Sequence, residues 1–139
     1  MTIRPMLPSD YPEVYALWRV TSAEALSEAD SRPNFDRYLA RNPNISQVCL
    51  NDQGQIVGTV LCGHDGRRGY IHHMAVSPEA RRQGIARLLA QEALNRLKQA
   101  GIAKAHIFVF SANAAGKAAW AAMGWQSRED LMVFSKTIE

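Results

Sequence analysis

Three arginines, Arg81, Arg82 and Arg87, stand around one glycine in the stretch Arg81-Arg82-Gln83-Gly84-Ile85-Ala86-Arg87. Where such a stretch opens a helix, it is suited to holding an anion. The first turn of a helix has N–H groups without internal partners, and the helix dipole makes that end electropositive. Gly84 removes the side chain where a backbone must come close to a ligand. Phosphate or pyrophosphate is the usual occupant of such a site. The stretch is neither a P-loop nor a dinucleotide fingerprint, because G-x-x-x-x-G-K-[ST] and G-x-G-x-x-G are both absent. The competing reading is a solvated basic helix start.

Directly upstream runs Tyr70-Ile71-His72-His73-Met74-Ala75-Val76. As a strand, it places Tyr70, His72, Met74 and Val76 on one face and Ile71, His73 and Ala75 on the other. An imidazole with an ordinary pKa of about 6.5 suits a general base near neutral pH. His72 is then the candidate base, or a side chain that only shapes a pocket. Adjacent strand residues point apart, so His72 and His73 do not form a metal pair, and His73 is expected to pack under the helices. Cys49 and Cys62 read as small buried hydrophobes rather than metal ligands.

The elements that must position these groups follow from pattern. Thr2 to Met6 is a strand. Ser9-Asp10 caps a helix to about Ala25 carrying Val14, Leu17, Trp18 and Thr21 at helical spacing. Pro33 opens a shorter helix with Phe35, Tyr38 and Leu39. Ile45 to Asn51 and Gln55 to Cys62 are strands joined across a turn ending in Gly54. The central strand, from Tyr70, leads to a long helix with an apolar stripe of Ile85, Leu88, Leu89, Ala93 and Leu97, stopped by Gly101. Ala105 to Phe110 is a strand, Ala114 to Met123 a helix, and Leu131 to Lys136 a final strand. This order, β-α-α-β-β-β-α-β-α-β, predicts an α/β (α+β) fold with a mixed sheet flanked by helices.

A length of 139 residues fits a single domain over 1–139, and 47% hydrophobic with 21% charged residues is ordinary for a globular chain. No apolar run is long enough for a bilayer and no signal pattern opens the chain, so a cytoplasmic protein with no membrane partner is expected. A net charge of +3 is too mild to argue for nucleic acid, and none is expected as a partner. A homodimer is left open.

The pattern [Q/R]-x-x-G-x-[G/A], filled by Arg81, Gly84 and Ala86 between a strand and a long helix, resembles the acetyl-CoA pyrophosphate loop of the GNAT N-acetyltransferase superfamily. About thirty residues on, Asn113, Gly116, Trp120 and Gly124-Trp125 resemble the family's pattern N-x-x-A-x-x-x-Y-x-x-x-G-F. Gly116 stands for Ala and Trp120 for Tyr. The whole chain is similar to small, single-domain bacterial members of the YpeA-like kind. The resemblance implies a mostly antiparallel central sheet and acyl transfer from acetyl-CoA (or another short acyl-CoA), without metal, to an amine of a small molecule, amino acid or peptide.

Residue by residue, the resemblance implies that Gln83, Gly84, Ile85, Ala86 and Arg87 hold the pyrophosphate, with Arg81 and Arg82 adding charge. Met74, Ala75 and Val76 would pair with the pantetheine arm as an added strand would. The Met74 N–H would polarise the thioester carbonyl. Asn113, Gly116, Lys117 and Trp120 complete the cofactor set. His72 and Tyr70 would face the reacting centre. The usual Tyr is the family's acid, and an indole at Trp120 does not ionise usefully. Either a CoA thiolate leaves without a dedicated acid, or the protein is a weakly catalytic or non-catalytic acyl-CoA-binding regulator, or Trp120 is simply core. Trp18, Thr21, Glu28 and Asp30, with His64 and Asp65 from a second loop, are the acceptor-side candidates. Glu24, Glu28 and Asp30 either attract a cationic amine or are solvated. His64-Asp65 is a relay or turn chemistry.

Overall fold

Segments rich in β-branched and apolar residues form the sheet. β1 (Thr2–Pro5), β2 (Gln47–Leu50), β3 (Ile56–His64) and β4 (Gly69–Val76) pair antiparallel in sequence order. β5 (Ala105–Ile107) joins β4 in parallel, giving the order β1-β2-β3-β4-β5. This is the mixed, mostly antiparallel sheet expected. The structure, a computed structural model, describes residues 1–139. It comprises two units, Met1–Phe108 and Val109–Glu139, and the whole sheet lies in the first.

Helices cover both faces of the sheet. On one face lie α1 (Tyr11–Thr21) and α2 (Arg32–Arg41), over a core that includes Val14, Trp18, Phe35, Leu39, Val48, Leu61 and Ala75. On the other lies α3 (Ile85–Gln99), burying Ile85, Leu89, Ala90, Ala93 and Leu97. Leu88, expected in that stripe, is exposed, and Ala90 takes its place. Helix α1 ends four residues before the expected Ala25, at Thr21. Ser22 leaves helical geometry with φ −156° and ψ 49°. Two short 3-10 turns, Ala23–Ala25 and Glu28–Asp30, then carry the chain to α2. No helix is long and apolar enough to cross a membrane.

The second unit holds α4 (Ala114–Ala122). Asn113 caps it, its side-chain oxygen accepting from the Gly116 N–H at 2.9 Å. Trp120 is buried in edge contact with Trp125, ring centroids 5.0 Å apart. The final strand expected at Leu131 to Lys136 is not formed, and the element order ends at α4. The side chains of Leu131, Met132, Val133 and Phe134 are exposed. A strand needs a hydrogen-bonded neighbour, and this unit contains no other strand to supply one. β5 likewise stops at Ile107 rather than Phe110, where its pairing with β4 ends.

Candidate active site

The site is shaped by one irregularity in the sheet. Leu61 of β3 opposes His73, but the next residue, Cys62, opposes Ile71. His72 is therefore an extra residue on β4, a β-bulge. Residues directly opposite each other share a face, so contacts from β3 identify the faces of β4. Gly63 opposes Tyr70, and a Cβ there would lie 2.5 Å from the Tyr38 hydroxyl of α2. The His73 ring lies 4.3 Å from that of Trp18 on α1, and His72 meets Tyr38 edge-on at 5.6 Å. Gly69 abuts Leu97 of α3, and Gly58, opposite Val76, abuts Ile85 of α3.

Tyr70, His72, His73 and Ala75 thus face α1 and α2, while Ile71, Met74 and Val76 face α3. This corrects the expectation of strict alternation. His72 and His73 do not point apart. The bulge inserts one residue, so the two-residue period restarts and both imidazoles come to one side.

Both histidines line a cavity of about 510 Å³, along with residues of the 3-10 turn Glu28–Asp30 and of α2. Asn34, Phe35, Arg37 and Tyr38 contribute from α2 and Leu61 from β3. Asn34 donates to the Glu28 carbonyl at 2.8 Å and accepts from the Arg37 guanidinium, tying the two walls together. These α2 residues were missed in the sequence. Their spacing, Asn34 with Arg37 and Tyr38, follows one helix face, but nothing in the pattern shows that this face looks onto β4.

The two histidines have different surroundings. His73 is buried, and its Nε2–H donates to Asp30 Oδ1 at 2.9 Å. The other Asp30 oxygen accepts from the Ser27 N–H at 3.1 Å. The His72 side chain reaches solvent, yet protein around it strips part of its water. That burial, reinforced by neighbouring His73 and opposed by the charge of Asp30, holds the His72 imidazole below its ordinary pKa. Burial pushes the Tyr38 phenol up and the Cys62 thiol up to about 12, so neither is a ready nucleophile or base.

An open backbone edge lies beside the bulge. β5 pairs only with Gly69 to Ile71 of β4. The Ser77 N–H donates to Val57 at 2.8 Å, toward β3. Successive N–H groups on a strand turn to opposite sides, so those of Val76 and Met74 point away from β3, to the side where β5 has ended. β4 then passes through the 3-10 turn Pro78–Ala80 into the basic turn. Arg82 and Gly84 both have left-handed backbone, φ 64° and 78°. Gly84 is the cap residue of α3 and supplies no side chain to its first turn. Left-handed Gly84 followed by helical Ile85 is the kind of backbone turn whose neighbouring N–H groups can face one concavity suited to an anion. A Cβ on Gly84 would meet nothing within 4 Å, so the backbone there is open. Arg81, Arg82, Gln83 and Arg87 are exposed around it, and Ile85 is buried as the anchor.

The remaining candidates have local partners. Trp18 is fully buried, donates from Nε1 to Thr59 Oγ1 at 2.9 Å, and does not line the cavity. The Thr21 hydroxyl donates to the Leu17 carbonyl. Asp65 accepts from the Arg67 and Arg68 N–H groups, which hold its carboxyl below the usual range, and His64 Nδ1 accepts from the Gly66 N–H. Both serve their own turn. Glu28 lines the cavity, and Asp30 lines it while paired to His73. Tyr70 stacks on His72 at 6.2 Å and lies 5.8 Å from His106. In the second unit, the Asn113 carbonyl accepts from the Lys117 N–H, and Lys117 itself is exposed. A Cβ at Gly116 would sit 2.5 Å from the Asn113 amide, so the glycine makes room for the cap.

Residues 11–125 match a family described as Acetyltransferase (GNAT) family. The chain is 29% identical to acetyltransferase plu1384 of Photorhabdus laumondii over 140 aligned positions, covering 99% of this chain and 96% of that one. Among solved structures it is similar to the aminoglycoside 6'-N-acetyltransferase AAC(6')-Ig of Acinetobacter haemolyticus. There the TM-score is 0.79 at 21% identity, with both chains covered in full. It is similar also to AAC(6')-Iy in complex with a CoA-containing bisubstrate analogue, with TM-score 0.78 at 15% identity, covering 99% of this chain and 98% of that one. At these identities the structures speak for a shared fold.

Proposed function

Because the chain belongs to the acetyltransferase (GNAT) family, we propose that it moves an acetyl or other short acyl group from CoA to a primary amine of a small molecule, amino acid or peptide. One observation carries this reading. The free edge of β4 at Met74–Val76 leads directly into the uncapped, arginine-flanked start of α3. The first feature suits a peptide-like pantetheine arm and the second a pyrophosphate.

In this reading the α3 turn from Gln83 to Arg87 holds the pyrophosphate, with the guanidinium groups of Arg81 and Arg82 adding charge. The chain from Met74 through Ala75 to Val76 aligns the arm, and the Met74 N–H stabilises the oxyanion that develops on the thioester carbonyl. The cavity beside the bulge takes the acceptor, with Glu28 at its wall. An ammonium group is not a nucleophile and must first lose a proton. His72 accepts it: with its pKa held low the ring is neutral at pH 7, and solvent access lets it release the proton again. Asn113, Gly116, Lys117 and Trp120 belong to the proposed cofactor set. The 1–139 chain acts as one acetyltransferase domain in the cytoplasm.

A second reading, an acyl-CoA-binding regulator with little turnover, is favoured by Trp120. It stands where the family pattern has Tyr, and it is buried against Trp125. Release of CoA thiol from acetyl-CoA, measured with a panel of amines, separates the two. Amine-dependent release supports the transferase. Binding of acetyl-CoA without release by any amine favours the regulator.

A further inference from the structure

We propose that His73, held by Asp30, is a second base of this cavity and takes the proton that the amine nitrogen loses as its bond to the acyl carbon forms. The role rests on the reading of the cavity as the acceptor site. It assigns to the bulged strand a chemical purpose that its sequence does not suggest.

Three observations carry it. First, the bulge at His72 brings the next imidazole onto the same face, and both rings line the cavity. Second, the buried Asp30 carboxylate accepts from His73 Nε2–H at 2.9 Å. It is itself fixed by the Ser27 N–H, and the Asp30 carbonyl by the Tyr11 hydroxyl at 2.7 Å. A carboxylate on one ring nitrogen sets the tautomer, leaves the other nitrogen bare, and supports the imidazolium that forms when it takes a proton. Third, His73 Nδ1 bonds to no protein atom. It is also absent from the polar atoms sealed from solvent without a partner, which are Asp36 Oδ1, Tyr38 OH and Gln47 Oε1. Nδ1 is therefore not fully sealed, and His73 is among the residues lining this cavity. The Trp18 ring, tilted against the imidazole with centroids 4.3 Å apart, packs on one side of it.

Two histidines suit a reaction that releases two protons from one nitrogen. His72, in contact with solvent, clears the first from the ammonium group. His73 takes the second as the C–N bond forms and the C–S bond breaks. That proton returns through water to the CoA thiolate, so amide and CoA thiol are formed, and the first proton leaves His72 for solvent.

Two measurements test this. Nitrogen-15 NMR of histidine-labelled wild-type protein reads the tautomer of neutral His73. The Nε2–H form, with a bare Nδ1, is expected, and the Nδ1–H form would overturn the proposal. Turnover is then compared for His73→Ala, His73→Gln and Asp30→Asn. The expected result is a kcat loss of about 10²–10⁴-fold for the His73 variants, the scale of general base catalysis. KM for acetyl-CoA should be unchanged, and added imidazole should partly restore His73→Ala. A purely structural clasp would not be rescued by imidazole. Unchanged kcat in the folded variants would overturn the role. Should the His73 variants fail to fold, Asp30→Asn keeps the size of the side chain, and its kcat decides: a loss with unchanged KM supports the role, and full activity overturns it. An Nε2–H tautomer in a protein that acetylates no amine would overturn the transferase reading, and this role with it, while leaving the dyad itself in place.

Discussion

Asp30 Oδ1 and His73 Nε2 lie 2.9 Å apart, both buried, although the two residues are 43 positions apart in sequence. The link ties the 3-10 turn Glu28–Asp30, which forms a wall of the cavity, to the strand that carries His72 and Met74. Wall and strand are thereby fixed to one another. Removing one partner leaves the other a buried polar group without its bond, at a cost of about 1–3 kcal/mol, so the geometry of the cavity depends on both residues.

Gly84→Glu is expected to abolish acetyl-CoA binding, since it sets a carboxylate beside the proposed pyrophosphate site. Its φ of 78° also strains any side chain, by about 1–2 kcal/mol. Gly84→Ala carries that strain without the charge. Calorimetry should show weakened binding in Gly84→Ala and none in Gly84→Glu. Equal affinity in both would mean that no anion is held there.

His72→Ala should lower kcat by about 10²-fold or more while leaving acetyl-CoA affinity intact. Because the folded pKa of His72 is depressed, wild-type rate should fall in acid along a limb lying below about pH 6.5, and that limb should be missing in the variant. The stability sign follows. As pH falls through about 6.5 the unfolded chain binds the proton before the folded one does, so the fold loses stability down to the depressed value. Urea titrations at about pH 7.5 and about pH 5.5 should show a smaller acid loss in His72→Ala. An equal loss would mean that His72 titrates normally in the fold.

Trp18→Phe separates core from acceptor contact. It removes the bond to Thr59 Oγ1 and leaves a buried hydroxyl without its donor, at a cost of about 1–3 kcal/mol. Amine KM should not change, because Trp18 does not line the cavity. A raised KM at unchanged stability would restore Trp18 to the acceptor site.

Trp120→Phe removes the indole N–H and keeps an aromatic ring against Trp125. Turnover should be unchanged if the CoA thiolate leaves without help from this side chain. A marked loss of kcat at constant acetyl-CoA KM would make the indole N–H a donor in the reaction.

Much of this was legible in the residues. Apolar periodicity and turn residues located the nine strands and helices of regular type to within about four residues at either end, and Gly84 with its arginines marked the turn that opens α3. What was hidden follows from tertiary pairing. His72-His73 reads the same in a regular strand as in a bulged one, and only the offset between Leu61 and Cys62 on β3 shows the difference. Arg82 adopts left-handed backbone that its residue type does not announce. Leu131 to Lys136 has strand composition, but composition cannot supply a neighbouring edge. The wall of α2 was hidden because the sequence shows that Asn34, Arg37 and Tyr38 share a helix face, not what that face meets.

Acetyl-CoA binding to the purified protein, measured by calorimetry at two salt concentrations, tests the central claim most directly. The account predicts micromolar binding that weakens only modestly with salt, because an aligned arm on the β4 edge adds to the charge at the α3 turn. No binding at either concentration would contradict it, and the assignments to Met74, His72 and the cavity would fall with the donor site.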